Sequence, residues 1–238
     1  MYGSAQRRLE SAGNTVAELR RALSEKLPAP ASESLPPLPT QLSCIDAALS
    51  GGLPRGKVTE IVGGAGKMAF ALLSLAAATQ RGELCAFVDT GDALDIKTAA
   101  RIGVVLERLL WVRTSAGTGT VEQRDLKAVD LLLSAGGFAL IVMYVSGRAA
   151  KTGALRIGSV WPRLIQRCEK AKAALLIASE EPLAGSFAAA TLRCAPGEAV
   201  WEQAPGGRLI LHGRRAEIEV VRNRLGPPGE IEALPLRK

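Results

Sequence analysis

A glycine-rich stretch, Gly63-Gly64-Ala65-Gly66-Lys67-Met68, follows the apolar run Val58–Val62 and precedes a helical pattern. Glycines between a strand and a helix let successive backbone N–H groups turn toward one anion, and a lysine at the helix start adds a cation. The chemistry on offer is phosphate binding. The spacing departs from the working pattern GxxxxGK[ST], because the glycine required five positions before Gly66 is replaced by Ile61, inside the apolar run. Counted from Gly63, the loop is two residues short. A shorter loop brings fewer N–H groups to bear on one β-phosphate. Met68 stands where Ser or Thr would ligate magnesium, and a thioether is a poor ligand for so hard a cation. Lys67 therefore reads as a lysine on a helix N-terminus facing solvent, with a stray anion as its alternative contact.

Other chemistry is scarce. His212 is the single histidine and lies in the strand-like run RLILHG, so neither a histidine-rich metal site nor Ser-His-Asp catalysis has material. Cys44, Cys85, Cys168 and Cys194 are tens of residues apart with no CxxC pair, which signals neither zinc nor a disulfide framework. No catalytic residue, metal or cofactor is expected. The start MYGSAQRRLE lacks the apolar core of a signal peptide, and no run of about 18 uncharged apolar residues occurs, so a cytoplasmic protein without membrane contact is expected.

The formal net charge is +7, and five of those excess charges fall in residues 151–238. Within 148–172, Arg148, Lys151, Arg156, Arg163, Arg167, Lys170 and Lys172 are opposed only by Glu169. A partner bearing phosphates suits that cluster.

The elements that must position these groups follow from hydrophobic periodicity. Val16, Leu19, Leu23 and Leu27 recur at spacings of three and four, an amphipathic helix. Pro28 to Thr40 carries five prolines and reads as an extended tether. From residue 41 the pattern predicts strands at Val58–Val62, Leu84–Asp89, Leu109–Arg113, Phe138–Val145 and Ala174–Ala178, each the short apolar run of a strand buried on both faces. Helical patterns occupy Met68–Gln80, Ile96–Ile102, Val121–Ser134 and Val160–Lys172. The last puts Val160, Leu164 and Cys168 on one side and Arg163, Arg167 and Lys170 on another. The alternation predicts an α/β fold with a mostly parallel central sheet flanked by helices. Ala188–Cys194, Ala199–Gln203, Arg208–His212 and Glu217–Arg222 then read as an antiparallel meander of four short strands. The expected organisation is an N-terminal helical arm (1–27), a Pro-rich linker (28–40), a core domain (41–225) and a C-terminal tail (226–238).

The stretch Leu42-Ser43-Cys44-Ile45-Asp46-Ala47-Ala48-Leu49, followed by Gly51-Gly52-Leu53-Pro54-Arg55-Gly56-Lys57-Val58-Thr59-Glu60-Ile61, resembles the opening of the core domain of RecA-type recombinases. Cys85-Ala86-Phe87-Val88-Asp89, Ala93-Leu94-Asp95 and Arg101-Ile102-Gly103-Val104 extend the resemblance. It is specific in 42–104 and rests on element order over roughly 40–225.

Carried over position by position, the resemblance implies an ATPase centre that has been lost. The catalytic carboxylate falls on Gly91, the aspartate ending the Walker B strand on Tyr144, the adenine-stacking aromatic on Thr98 and the magnesium-binding hydroxyl on Met68. Asp95 alone matches a nucleotide-contacting position. The family's first DNA-binding loop corresponds to Tyr144–Ile157, where Arg148, Lys151 and Arg156 stand among glycines without aromatics, which suits weak, salt-dependent phosphate contact. The second corresponds to the acidic Glu180-Glu181-Pro182-Leu183-Ala184-Gly185.

Among RecA-like proteins, the short chain with a degenerate nucleotide loop, helical arm and Pro-rich tether resembles the ImuA type. That resemblance implies a non-catalytic accessory subunit of a DNA-damage-induced (SOS) mutasome in translesion synthesis. Its partners would be RecA, a catalytically inactive Y-family polymerase relative and an error-prone replicative-type polymerase. Self-association or RecA contact through the helix bearing Val16, Leu19, Leu23 and Leu27 is a further expectation. Two alternatives stand beside it: a RecA-family ATPase with an atypical loop, supported by Lys67 and Asp95, and a cell-division inhibitor of the SulA type.

Overall fold

Val58–Val62 forms β1 and is buried along its whole length. Three further strands are buried in the same way: β2 (Leu84–Asp89), β4 (Phe138–Tyr144) and β5 (Ala174–Ser179) are mostly apolar runs with almost every residue buried, as strands covered on both faces require. The computed structural model describes residues 35–64, 66–114, 121–145, 160–203, 207–225 and 234–237. Residues Pro36–Lys238 form one compact unit, and the arm bearing Val16, Leu19, Leu23 and Leu27 lies outside the described residues.

Among the described residues the strands make one sheet of order β3-β2-β4-β5-β1-β6-β7-β8, with β3 at Leu109–Arg113, β6 at Ala190–Gln203, β7 at Leu209–Asn223 and β8 at Leu234–Arg237. Pairing is parallel from β3 through β6 and antiparallel for β6–β7 and β7–β8. The expected α/β class with a mostly parallel sheet and a C-terminal antiparallel section is therefore observed. The expected bounds of β1, β2 and β3 coincide with the observed ones.

Helices cover both faces. On one side α1 (Ser43–Ala48), α2 (Lys67–Gln80) and α3 (Ile96–Ile102) pack Ile45, Phe70, Leu75 and Ala99 against Ile61, Phe87, Leu140 and Leu176. On the other, α4 (Val121–Ala135) and α5 (Val160–Ala171) pack Val129, Leu133, Leu164 and Cys168 against Val58, Ile141 and Leu175. Burial of each large apolar side chain contributes roughly 1.5–3 kcal/mol. Trp161, which the helical pattern did not single out, joins Leu164 and Cys168 on the buried face of α5.

The C-terminal section differs from expectation. Two long strands, β6 and β7, replace four short ones, and β6 first runs parallel beside β1 before continuing as a ribbon with β7. Pro196-Gly197 and Gly213 look like turn residues, but register shifts between Pro196 and Ala199 and between Val200 and Trp201 absorb them as bulges. β8 adds to β7 across Gly213–Ala216.

The end of the Pro-rich stretch is fastened to this unit. Leu38 is buried and exchanges both backbone hydrogen bonds with Leu53 at 2.8 Å. Gly52, at φ 125°, allows the approach, since a Cβ there would collide with the Leu38 carbonyl. Arg55 and Arg81 donate to the carbonyls of Pro36 and Pro39.

Candidate functional site

The carboxyl ends of the parallel strands share one edge of the sheet, and there the loop after β1 meets the end of β4. Gly63 has φ 122°, donates its N–H to the Ser179 carbonyl at 3.1 Å, and lies so close to the Cys194 carbonyl that a Cβ would overlap it. Only glycine fits. Gly64 is exposed, and Gly66, at φ 91°, opens α2 with no side-chain cap. Ala65 lies outside the described residues.

Lys67 is not the solvent-facing lysine that the sequence predicts. It is 4% exposed, and its Nζ lies 5.7 Å from the centroid of the Tyr144 ring. The ring's π face attracts the ammonium, which explains the inward turn. Burial lowers its pKa from the ordinary lysine value, partly offset by Glu180 and Cys194. Tyr144 is itself buried, stacked on Phe87 with centroids 5.8 Å apart, and its phenol is pushed up by burial and by Asp89 and Glu180. The residue at the end of β4 thus presents an aromatic ring to Lys67 rather than a carboxylate to a metal. Met68 is half-buried and packs against the α1–α3 side of the core.

At the end of β2 the polar groups are fully engaged. Asp89 is completely buried, and Oδ1 accepts from the N–H groups of Gly91 (3.2 Å) and Ala93 (3.0 Å). Its Oδ2 accepts from Leu94 N–H (3.0 Å) and Trp111 Nε1 (3.2 Å). Gly91 therefore sits in a turn organised by the preceding aspartate. The signal in the sequence is an apolar run ending in Asp-Thr-Gly-Asp, the composition of an Asx turn. Asp95 is the N-cap of α3, accepting from Lys97 N–H, Thr98 N–H and Thr98 Oγ1. The Thr98 hydroxyl, aided by the two backbone N–H bonds, holds the Asp95 carboxyl below the usual aspartate value. The one matching nucleotide-contacting position is thus occupied with capping, and Thr98 serves that cap.

A second buried carboxylate escaped sequence reasoning. Asp125 on α4 accepts from the hydroxyls of Thr90 (2.7 Å) and Thr114, tying the helix to the ends of β2 and β3.

The basic cluster is only partly described, because Arg148, Lys151 and Arg156 lie outside the described residues. Arg163 and Arg167 both engage Asp130 of α4, at 2.6 and 2.7 Å, and Arg167 also meets Ser134. An acid from the adjacent helix, invisible to a count along 148–172, offsets part of the stripe's charge. Glu169 pairs with Lys57 at 2.6 Å. Lys170 is exposed and, with Arg167, lines a shallow depression between the ends of α4 and α5. Glu180 and Glu181 are exposed.

Among the described residues, no group of three or more His, Cys, Asp or Glu side chains is gathered as for a metal, and no helix is long and apolar enough to cross a membrane. The four cysteines are free thiols; burial pushes Cys85 and Cys168 up to about 12 and Cys194 to about 11.

Comparison with known proteins agrees with this arrangement. The family described as RecA N-terminal domain matches residues 26–155, more than half of the chain. Protein RecA of Desulfovibrio desulfuricans is 34% identical over 143 residues, covering 57% of this chain and 38% of that protein. Protein RecA of Brucella anthropi is 39% identical over 118 residues, 48% of this chain and 31% of that protein. Protein RecA of Thermus thermophilus is 39% identical over 109 residues, 44% of this chain and 31% of that protein. The match spans about a third of these relatives' own length. The matched stretch contains β1, the glycine loop, α2, the Asp89 turn and the Asp95 cap, and the chain belongs to the RecA N-terminal domain family.

Proposed function

We propose that this RecA-related chain is a non-catalytic accessory protein of the ImuA type, acting in damage-induced translesion synthesis. Its place would be beside RecA, an inactive Y-family polymerase relative and an error-prone replicative-type polymerase. The observation that carries the loss of catalysis is the Lys67–Tyr144 contact. The loop lysine is turned onto an aromatic ring at the position where a carboxylate would be needed, and a buried cation on a ring is poorly placed to follow charge on a transferring phosphate. Gly91, Thr98 and Met68 add three further positions without the required chemistry.

The reading assigns binding to the arm (1–27) carrying Val16, Leu19, Leu23 and Leu27, joined by the linker (28–40) to the core (41–225), with 226–238 as a tail. Weak DNA contact falls to Arg148, Lys151, Arg156 and Lys170, with Arg163 and Arg167 contributing less because Asp130 already holds them. Such contact must weaken steeply with salt.

Calorimetric titration of the full chain with ATP and magnesium tests the central claim. Absence of binding below millimolar concentration and absence of phosphate release are expected; micromolar binding or measurable hydrolysis rejects the reading in favour of an atypical ATPase. A pull-down with RecA, in which deletion of residues 1–40 abolishes capture, tests the partner assignment.

A further inference from the structure

Glu60 lies on β1, three residues before Gly63, and is fully buried. Its Oε1 accepts from the N–H groups of Leu183 (2.7 Å) and Ala184 (2.6 Å), at the start of the 3-10 turn Gly185–Phe187. Arg222 of β7 reaches the other end of that turn. Its Nη2 donates to the carbonyl of Gly185, to that of Ala188 at 3.4 Å and to Thr191 Oγ1 at 3.2 Å. The carboxylate thus takes the N–H groups just before the turn, and the guanidinium takes the carbonyls of its first residue and of the residue just after it.

Each of these two side chains keeps one buried polar atom without a partner, Glu60 Oε2 and Arg222 Nε. The first is an acceptor in need of a donor, the second a donor in need of an acceptor. Glu60 and Arg222 stand in register across β1, β6 and β7, each opposite Thr191 of β6, and the Arg222 charge draws the Glu60 carboxyl down while burial, the larger effect, pushes it up. The chemistry of an occupant between them is narrowly defined. A cation meets the guanidinium, an anion meets the carboxylate, and a neutral group that both donates and accepts satisfies both atoms.

We propose that one water molecule is bound here, donating to Glu60 Oε2 and accepting from Arg222 Nε–H, and that it closes a clamp joining β1, the turn at 183–188 and β7. With the Gly63 N–H bonded to the Ser179 carbonyl and the Ala189 N–H to the Val58 carbonyl, the clamp gives the segment after β5 a further tie to β1. The turn then moves with β1 and β7 as one hydrogen-bonded unit, whatever occupies the glycine loop.

A crystal structure of the full chain that shows ordered solvent is the first test. Density for one water within about 3.2 Å of both atoms is expected. Direct contact between Glu60 and Arg222, or no solvent between them, overturns the proposal. The second test is amide exchange at Leu183 and Ala184 in the parent chain, Glu60→Gln, Arg222→Met and the double variant. Each single change is expected to speed exchange by about tenfold, the scale of one charge-assisted hydrogen bond. The double variant should fall at least about threefold short of the product of the singles, as coupled partners do. A simple product means the two groups act independently and overturns the bridge; variants that fail to fold leave the crystallographic result to decide.

Discussion

The ends of β1 and β4 and the end of β2 lie on the same edge of the sheet, yet they use polar residues in opposite ways. At β1 and β4, Lys67 and Tyr144 are drawn inward and treated as packing: a buried cation on a ring, and the ring stacked on Phe87. At β2, Asp89 accepts four hydrogen bonds and shapes the turn through Leu94, while Asp95 caps α3. The acidic groups at the end of β2 organise backbone, whereas the lysine of the glycine loop is held by a ring. The difference teaches that the residues shaping this edge of the sheet and the cation of the glycine loop are held by separate sets of contacts.

The sharpest way to break this contrast is Asp89→Ala. It leaves three backbone N–H groups and one indole N–H without their acceptor, that of Leu94 in the interior, and a loss of about 2–3 kcal/mol is expected in urea unfolding. Tyr144→Ala should cost about 3 kcal/mol through the cavity left beside Phe87 and Lys67. A change below about 1 kcal/mol at Tyr144 would mean the ring is not part of the core.

Lys67→Met is expected to shift stability by less than about 1 kcal/mol in either direction, since the ring contact and the desolvation of the ammonium offset each other. ATP binding should not change measurably. A large loss of nucleotide affinity in this variant would show that the loop still serves an anion. The smallest effect concerns Asp95. Its carboxyl titrates below its unfolded value, so its support of α3 is complete above the usual aspartate range and fades as pH falls through the lowered pKa. Protection of the Lys97 and Thr98 amides, taken relative to the intrinsic exchange rate at each pH, should fall only below about pH 4, the unfolded aspartate value, and stay constant between pH 5 and 8.

The parallel half of the sheet was legible because its strands are short, mostly apolar runs flanked by helix-period segments, Thr59 and Glu60 being the polar members of β1; β3, expected to be buried on both faces, is instead a half-exposed strand at the edge of the sheet. β6 and β7 were not, because Pro196-Gly197 and Gly213 mimic turns and only pairing with a neighbour reveals a bulge. At the site, the identities at Gly91, Thr98 and Tyr144 could be read from position, but the inward turn of Lys67 depends on a ring 77 residues away in the chain. Likewise Asp130, which engages Arg163 and Arg167, belongs to a different helix and no local count includes it.

Gly63 sets a limit on how this loop can change. Its α-carbon rests against the Cys194 carbonyl on one side while Gly66 opens α2 three residues later, so strand and helix are joined by a short link. Exchanging side chains within Gly63–Met68 alters what the loop displays but not how far it reaches. A loop of the full GxxxxGK[ST] length is therefore a matter of inserted residues, a larger genetic step than substitution.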